Sequence, residues 1–399
     1  MGFIVIIDKK CASIILFGVR IEIEREHQIM AKNKTLANAK EAKADEFYTQ
    51  LSDIENELIH YKDFFRDKIV FANCDDPYES NFFKYFAINF NHLGLKKLIA
   101  TCYDSSPIAY SQLSFFGVNE DKIYPNNNRH AYKIEINEVL DMNNDGAFDL
   151  SDVKLLLQNK KNTLVHLKGD GDFRSNECVE LLKKSDVVVT NPPYSLFKEY
   201  IPLLIKYNKK FVVMGPMNAI TYKEIFPLIK DNKMWTGYGF NKTMKFQVPA
   251  HYKGFYEGGV KYGKVPAICW YTNIDIIKRN EEKILYKHYL SSDYPKYETF
   301  DAIDVSNLND IPCDYYGIMG VPKTFLDCYN PTQFEILGYE REDENIQVGI
   351  KTMPEEFLLN YRKQGGTGHY TKGMKMLCFY DKDNKAKIPF SRILIRRKK

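Results

Sequence analysis

The chain is short of several things. It has two tryptophans in 399 residues, no cysteines spaced Cys-x-x-Cys, and no apolar run long enough to span a bilayer. Without such pairs, and without a companion histidine cluster, a zinc module is disfavoured. The eight cysteines are scattered, at 11, 74, 102, 178, 269, 313, 328 and 378. In a chain of this size they read as reduced, buried thiols of a cytosolic protein, not as a disulfide framework. The apolar stretches 3–7 and 12–19 are split by Asp8, Lys9 and Lys10 and fall short of the roughly 18–20 residues of a membrane span. They also lack the continuous core and small-residue cleavage site of a secretory signal. Nor is there a charge excess: 56 Lys and Arg face 52 Asp and Glu, a net +4. That excludes a histone-like protein, though not one basic face.

What is present suits a sizeable core. Hydrophobic residues make up 44% of the chain, including 28 Tyr and 26 Phe, which rules out a disordered protein. Aromatic richness serves a core first, and it also serves a protein that stacks on bases. Residues 1–29 end at an in-frame Met30, where the composition turns polar. We read them as an upstream extension of the reading frame.

Periodicity then sets the organisation. Phe47, Leu51, Ile54, Leu58, Tyr61 and Phe65 step by three and four and trace one face of a helix. Ser80 is placed to cap a helix over 81–93 with Phe82, Phe83, Phe86 and Phe90 inward. Short apolar runs at 69–72, 97–102, 164–167, 186–190 and 211–214 read as strands, with helical patterns between later ones. Alternation of this kind implies an α/β fold, a mostly parallel sheet with helices on both faces. Ligands then bind at the carboxyl ends of the strands. Four of these strands end in distinctive residues: Asp75-Asp76-Pro77, Asp104, Asp170–Phe173 and Asn191–Tyr194. From about Ile276 the rhythm stops, and charged and aromatic residues mix. We read 30–275 as a catalytic domain and 276–399 as a smaller, mixed domain with a basic surface.

The chemistry is concentrated in Asn191-Pro192-Pro193-Tyr194, directly after an apolar strand. Two prolines fix φ and remove two backbone donors, giving a rigid turn. Such a turn holds an amide oxygen and a proline carbonyl where they can accept both hydrogens of a planar NH2 group. It also holds a ring that can stack on the heterocycle. That is the requirement for moving a methyl group from a sulfonium onto an amino nitrogen.

Here the chain resembles the S-adenosylmethionine-dependent amino-methyltransferases, and among them the EcoRI-type adenine-specific DNA methyltransferases. The segments that carry the resemblance are 45–50, 73–77, 169–175, 190–197, 218–226 and 320–326, and it covers about 30–399. It implies a Rossmann-like methyltransferase fold, with 276–399 as a target-recognition region. It also implies transfer of a methyl group from S-adenosylmethionine to N6 of an adenine flipped out of duplex DNA. Asn191, Pro192, Pro193 and Tyr194 would be catalytic. Tyr48 and Thr49 would touch the methionine end of the cofactor. Asp75, Asp76 and Pro77 take the place of the usual glycine-rich loop, although no glycine follows Pro77 here. Asp104 is the candidate for the ribose hydroxyls, Asp172 and Phe173 for the adenine end, and Phe197 for the closing wall. Tyr194 would stack on the target base, with Phe246 as the second ring ahead of Tyr252 and Phe255.

Two further features stand apart. Asp141, Asn143, Asp145, Gly146, Asp149 and Asp152 have the spacing of a calcium loop of the EF-hand kind, without a second loop. Any calcium bound there would be structural. Basic residues gather late in the chain: Arg362 and Lys363 beside a glycine loop, and Arg396 and Arg397 in a charged tail. These are candidates for DNA phosphates. Protein glutamine-N5 and some RNA methyltransferases share the Asn-Pro-Pro-Tyr requirement, but a glutamine methyltransferase would not need the region after 276. A non-catalytic DNA-binding regulator is the reading from another class. The partners expected are double-stranded DNA and a cognate restriction endonuclease, for a monomer in the bacterial cytoplasm.

Overall fold

The computed structural model describes residues 49–74, 80–102, 131–140, 155–156, 159–240, 242–247, 254–340 and 347–399. Residues 1–29 lie outside them. Phe47–Pro192 together with Leu196–Lys399 form one compact unit, and Pro193–Ser195 fall in another.

The helical stripe near the start builds α1 (Leu51–Leu58), continued by a 3-10 helix, Ile59–Phe65. Ile54, Leu58, Tyr61 and Phe65 are buried, as the spacing requires. Ser80 does cap α2 (Asn81–Ile88), its Oγ accepting the N–H of Phe82 at 3.1 Å and of Phe83 at 3.4 Å. Phe82, Phe83 and Phe86 are buried along α2. The helix expected to run on to residue 93 breaks at Asn89, and Phe90 is buried in the short helix Phe90–Leu93.

The strands β1 (Ile69–Ala72), β2 (Lys97–Thr101), β3 (Tyr132–Ile136), β4 (Thr163–His166), β5 (Val187–Thr190), β6 (Lys210–Pro216) and β7 (Trp235–Thr236) belong to one large sheet. So do β8 (Lys242–Gln247), β9 (Phe255–Glu257) and β10 (Val260–Thr272). Its order is β4-β3-β2-β1-β5-β6-β10-β7. The pairs β1/β2, β1/β5 and β5/β6 are parallel. The helices α3 (Asn176–Lys184), α4 (Phe197–Lys206) and α5 (Phe226–Lys230) fill the connections. One strand departs from expectation. β3 inserts between β2 and β4, antiparallel to both. It leaves β4 at the sheet edge, with exposed and half-buried residues alternating where a fully buried strand was expected.

A second sheet contains β11 (Ile303–Asp304), β12 (Ile318–Pro322), β13 (Phe334–Tyr339) and β16 (Arg392–Arg397), in the order β11-β12-β16-β13. The hairpin β14 (Phe379–Tyr380) and β15 (Ala386–Lys387) and the helix α6 (Glu355–Lys363) precede its last strand. One apolar cluster runs through both sheets, from Phe71 and Val188 to Met319 and Ile395. Phe226 of α5 meets Tyr339 of β13 with ring centroids 5.0 Å apart. The change of texture near Ile276 is thus a change of sheet within one continuous core.

The charged tail is built into the second sheet. Arg392-Ile-Leu-Ile-Arg396-Arg397 lies between β12 and β13, with Ile393, Leu394 and Ile395 buried. Arg392 Nε lies 2.8 Å from Asp304 Oδ1, whose carboxylate is sealed from solvent. The Tyr297 hydroxyl donates to Asp304 at 2.6 Å, and so does that of Ser306. Arg396 pairs with Glu335 at 2.8 Å. Charges flanking three apolar residues make a central strand here, because the guanidinium groups find acidic partners. Breaking a buried pair from one side strands the remaining charge and costs about 3–5 kcal/mol. Arg392→Leu should therefore lower unfolding free energy by about that amount in urea titrations. Lys387→Leu, at an exposed position, should change it little.

Candidate active site

β5 is fully buried and is flanked on both sides by parallel strands. Val188 stands opposite Phe71 of β1 and Thr190 opposite Val213 of β6. The residues that follow β5 and β1 therefore leave neighbouring strands at one edge. They are Asn191, which is buried, and Asn73, 3% exposed.

Asn73 is held from two sides. Its carbonyl accepts the Thr101 hydroxyl of β2 at 3.3 Å, and its Oδ1 accepts the hydroxyl of the fully buried Tyr200 of α4. Its Nδ2 is buried and has no hydrogen-bond partner among the described residues. Tyr200 also packs edge-on against Phe173, centroids 5.0 Å apart. Phe173 comes from the loop after β4. That loop approaches β2 so closely that a Cβ on Gly171 (φ +80°) would lie 2.1 Å from the Cys102 carbonyl oxygen. Gly171 O accepts the Cys178 thiol at 3.5 Å, and burial pushes that thiol's pKa up.

Thr49 reaches the same edge. Its carbonyl accepts Asn81 Nδ2 at 2.7 Å at the first turn of α2, and its hydroxyl lies 3.2 Å from Met214 Sδ of β6. A buried amide, two aromatic rings, a left-handed glycine and a threonine thus converge at the carboxyl edge of β1, β2 and β5.

A family model described as adenine-specific methyltransferase EcoRI matches residues 35–398. The chain belongs to this family of adenine-specific methyltransferases. It is similar to the type II methyltransferase M.EcoRI of Escherichia coli, 43% identical over 329 residues, covering 80% of this chain and 93% of the relative. M.MgeORF184P of Mycoplasma genitalium is 38% identical over 310 residues, 75% of this chain and 84% of the relative. M.MpnI of Mycoplasma pneumoniae is 37% identical over 312 residues, 75% and 83% respectively. No solved structure matches the chain. A methyltransferase of this family implies S-adenosylmethionine as methyl donor.

Within this methyltransferase the residues singled out from sequence divide clearly. Asn191, Pro192, Thr49 and Phe173 lie at the edge just described. Pro193 and Tyr194 follow in the chain and are half-buried. Asp172 is there too, but Arg174 clamps its carboxylate in fork geometry, at 2.9 Å from Nε and 2.7 Å from Nη2. Arg174 also bonds Glu199 of α4 at 2.7 Å and lies 5.2 Å from the Phe173 ring centre. Phe197 is fully buried in the core, packed on Tyr271 and against Gly215, where a Cβ would lie 2.4 Å from the ring. The core has claimed the ring expected to wall the pocket.

Phe246 is in β8 opposite Gly263, and its side chain lies outside the described residues. Tyr48, Asp75, Asp76, Pro77 and Asp104 lie outside them as well. So does the calcium-type loop with Asp141, Asn143, Asp145, Asp149 and Asp152. Arg362 spends its guanidinium on its own loop, donating to the carbonyls of Gly366, Gly368 and Tyr370. Lys363 is exposed, and Arg397 lies 5.2 Å from the Tyr316 ring centre. One set of metal-type donors occurs among the described residues, His288, Cys313 and Asp314, and in it His288 Nδ1 already bonds Asp314 at 3.0 Å.

Sequence reading overlooked Asn73, Tyr200 and Gly171 as site residues. A signal existed for Asn73, a polar amide directly after an unbroken apolar strand. Tyr200 is masked by an otherwise apolar helix face. Gly171→Ala would force a left-handed residue, costing roughly 1–2 kcal/mol, and would add the collision with Cys102. It should depress thermal stability and S-adenosylmethionine affinity together. Gly169→Ala, whose Cβ would meet nothing nearer than Glu177 Oε2 at 3.6 Å, should be mild in both measurements.

Proposed function

We propose that the chain is a site-specific DNA methyltransferase that modifies N6 of an adenine turned out of the duplex. The observation that carries this reading is the placement of Asn191. It is buried at the end of the central parallel strand, at the same edge as Asn73.

The residues present fit S-adenosylmethionine. A buried amide N–H without a partner among the described residues suits a ligand rich in oxygen and nitrogen acceptors, since leaving such a donor unmade costs about 1–3 kcal/mol. Asn73, Thr49, Phe173 and Asp172 would hold the cofactor, with Tyr48, Asp75, Asp76, Pro77 and Asp104 as further candidates. When bound, S-adenosylmethionine supplies an electrophilic methyl group on a positively charged sulfur.

The chain's own residues prepare the nucleophile. Asn191 Oδ1 and the Pro192 carbonyl accept the two hydrogens of the adenine amino group. This draws electron density onto N6 and fixes its direction of attack. The pyrrolidine rings of Pro192 and Pro193 keep the turn from relaxing. Tyr194 stacks on the extruded base, offsetting part of an unstacking cost of a few kcal/mol. The burial of Asn191 strengthens each hydrogen bond it makes to the base. No helix among the described residues is long and apolar enough to cross a membrane. A monomer acting in the bacterial cytoplasm, alongside a cognate restriction endonuclease, completes the reading. Calcium, if bound by the 141–152 loop, would serve structure and not the transfer.

Two substitutions at the same edge should have opposite signatures. Asn191→Ala should lower turnover on duplex DNA by at least about 100-fold, the scale of losing one preorganised polar group, with S-adenosylmethionine affinity nearly unchanged. Asn73→Ala should weaken cofactor binding and recover much of its turnover at saturating cofactor. Calorimetric binding and tritium-methyl transfer on the same preparations check both. Full turnover in Asn191→Ala would refute the mechanism.

A further inference from the structure

β10 is thirteen residues long and serves two structures. Its second half, Ile268 to Thr272, pairs antiparallel with β6, and Ile268 stands opposite Pro216, the last residue of β6. Its first half therefore continues past the carboxyl end of β6, the edge that carries Asn191 and Asn73. There it pairs with β8 on one side and β9 on the other, Tyr262 facing Gln247 and Phe255 at once. The result is a three-stranded antiparallel arm reaching beyond the catalytic edge.

The tip of the arm is a tight hairpin. β9 and β10 are joined by Gly258 and Gly259, at φ +58° and +81°. Two left-handed residues in a two-residue loop match the twist of a β-hairpin. Every residue of β9 is exposed, Tyr256 to 67% and Phe255 to 38%. A lysine sits by each ring. Lys261, directly across from Tyr256, has its Nζ 5.6 Å from that ring centre, and Lys264 lies 5.6 Å from the centre of Phe255. Phe255 and Tyr262 pair on the opposite face, 6.3 Å between centroids.

Charge is concentrated here. Residues 242–264 contain five lysines, one glutamate and no other charged residue, a net +4, which equals the formal charge of the whole chain. The same segment carries five of the chain's aromatic residues, at 246, 252, 255, 256 and 262. Exposed rings flanked by lysines on a narrow β-ribbon match duplex DNA on three counts. The ribbon fits a groove, the lysines meet phosphates, and a ring can enter a base step or the space left by a displaced base.

We propose that this arm is a DNA-contacting element, with Tyr256 and Phe255 at its tip supporting the base stack beside the extruded adenine, and Lys261 and Lys264 on the flanking phosphates. The proposal rests on the reading of the chain as a DNA adenine methyltransferase and adds the surface that holds the duplex open.

The test uses the full chain. Binding to a mixed-sequence duplex is titrated with salt for wild type and for the Lys261→Ala/Lys264→Ala double variant. Methylation is followed on plasmid DNA by sequencing that reads modified adenines. Thermal melting and S-adenosylmethionine binding verify that each variant is folded. The double variant should reduce the salt slope by about 1.8, from roughly 0.9 per phosphate contact. Tyr256→Ala should slow duplex methylation tenfold or more while leaving cofactor affinity intact, and Tyr256→Phe should restore most of it. The Tyr256→Ala deficit should shrink on DNA whose adenines are mispaired, because such bases cost less to extrude. An unchanged salt slope, or full duplex activity in Tyr256→Ala, would overturn the proposal while wild-type methylation left the enzyme reading intact. Wild type that leaves adenine unmodified would refute that reading, and the salt slope would then decide the arm alone.

Discussion

The parallel ladder β1-β5-β6 is the constraint on which the rest of the molecule depends. Parallel strands share a direction, so their carboxyl ends fall at one edge, and whatever follows them is brought together. β5 has no exposed residue, and its neighbours fix it on both sides. Asn191 therefore inherits its position from the backbone hydrogen bonds of the sheet, with no need for a dedicated scaffold. Pro192, directly after it, fixes the next φ. β6 does the same for β10, whose antiparallel pairing sets where the arm leaves the sheet.

A second anchor acts from outside the sheet. Glu57 of α1 is buried, and its two oxygens accept the N–H groups of Tyr238 and Gly239 at 2.9 and 2.6 Å, with the Tyr61 hydroxyl at 2.8 Å. Burial raises the Glu57 pKa, and these donors offset part of that rise. A Cβ on Gly237 would lie 2.2 Å from Glu57 Oε1, and one on Gly239 would lie 2.5 Å from the Trp270 ring. The glycines are needed because carboxylate and indole both crowd the loop at these positions. This loop joins β7 to β8, so the start of the arm is pinned to the helix that opens the catalytic unit. Buried carboxylates are costly, and the gain here is a fixed path for the segment that leads into β8.

Much of this was legible in the residues. Helix faces with steps of three and four, Ser80 as a cap, and five apolar strands all appear where periodicity put them. Among the described residues, the ends of β4 and β5 lie at one edge with Asn73. What the sequence hid has physical causes. β3 reads Tyr-Lys-Ile-Glu-Ile, an alternation that suits a half-buried strand but lies outside the continuous apolar runs that mark the others. In the fold Lys97 and Lys133 both bind Glu135, at 2.8 and 2.7 Å, so three charges that look solvent-facing hold neighbouring strands together. The final arginines read as a charged tail offered to DNA phosphates. Local composition does not show that Asp304 and Glu335 wait in distant strands. Arg362 misled because a charge beside a glycine loop resembles a ligand site, whereas its guanidinium closes that loop through carbonyls. Long-range pairing decides whether a charge is structural, and periodicity carries no information about it.

The missing glycines after Pro77 can be understood in the same terms. A glycine-rich loop after the first strand usually lets backbone come close to a bound cofactor. Here close backbone approach among the described residues occurs one strand further out, where Gly171 lies against Cys102 and no side chain could be accommodated. The loop after β4 is thereby pressed onto the end of β2, and Phe173 is carried towards Tyr200 and Asn73. Glycine's freedom is used to seat a neighbouring loop that supplies an aromatic wall. The edge beside Asn73 is built from a hydrogen-bonded amide, a buried tyrosine and an edge-on phenylalanine, each fixed by the packing around it. Preorganisation of that kind reduces the ordering cost of binding.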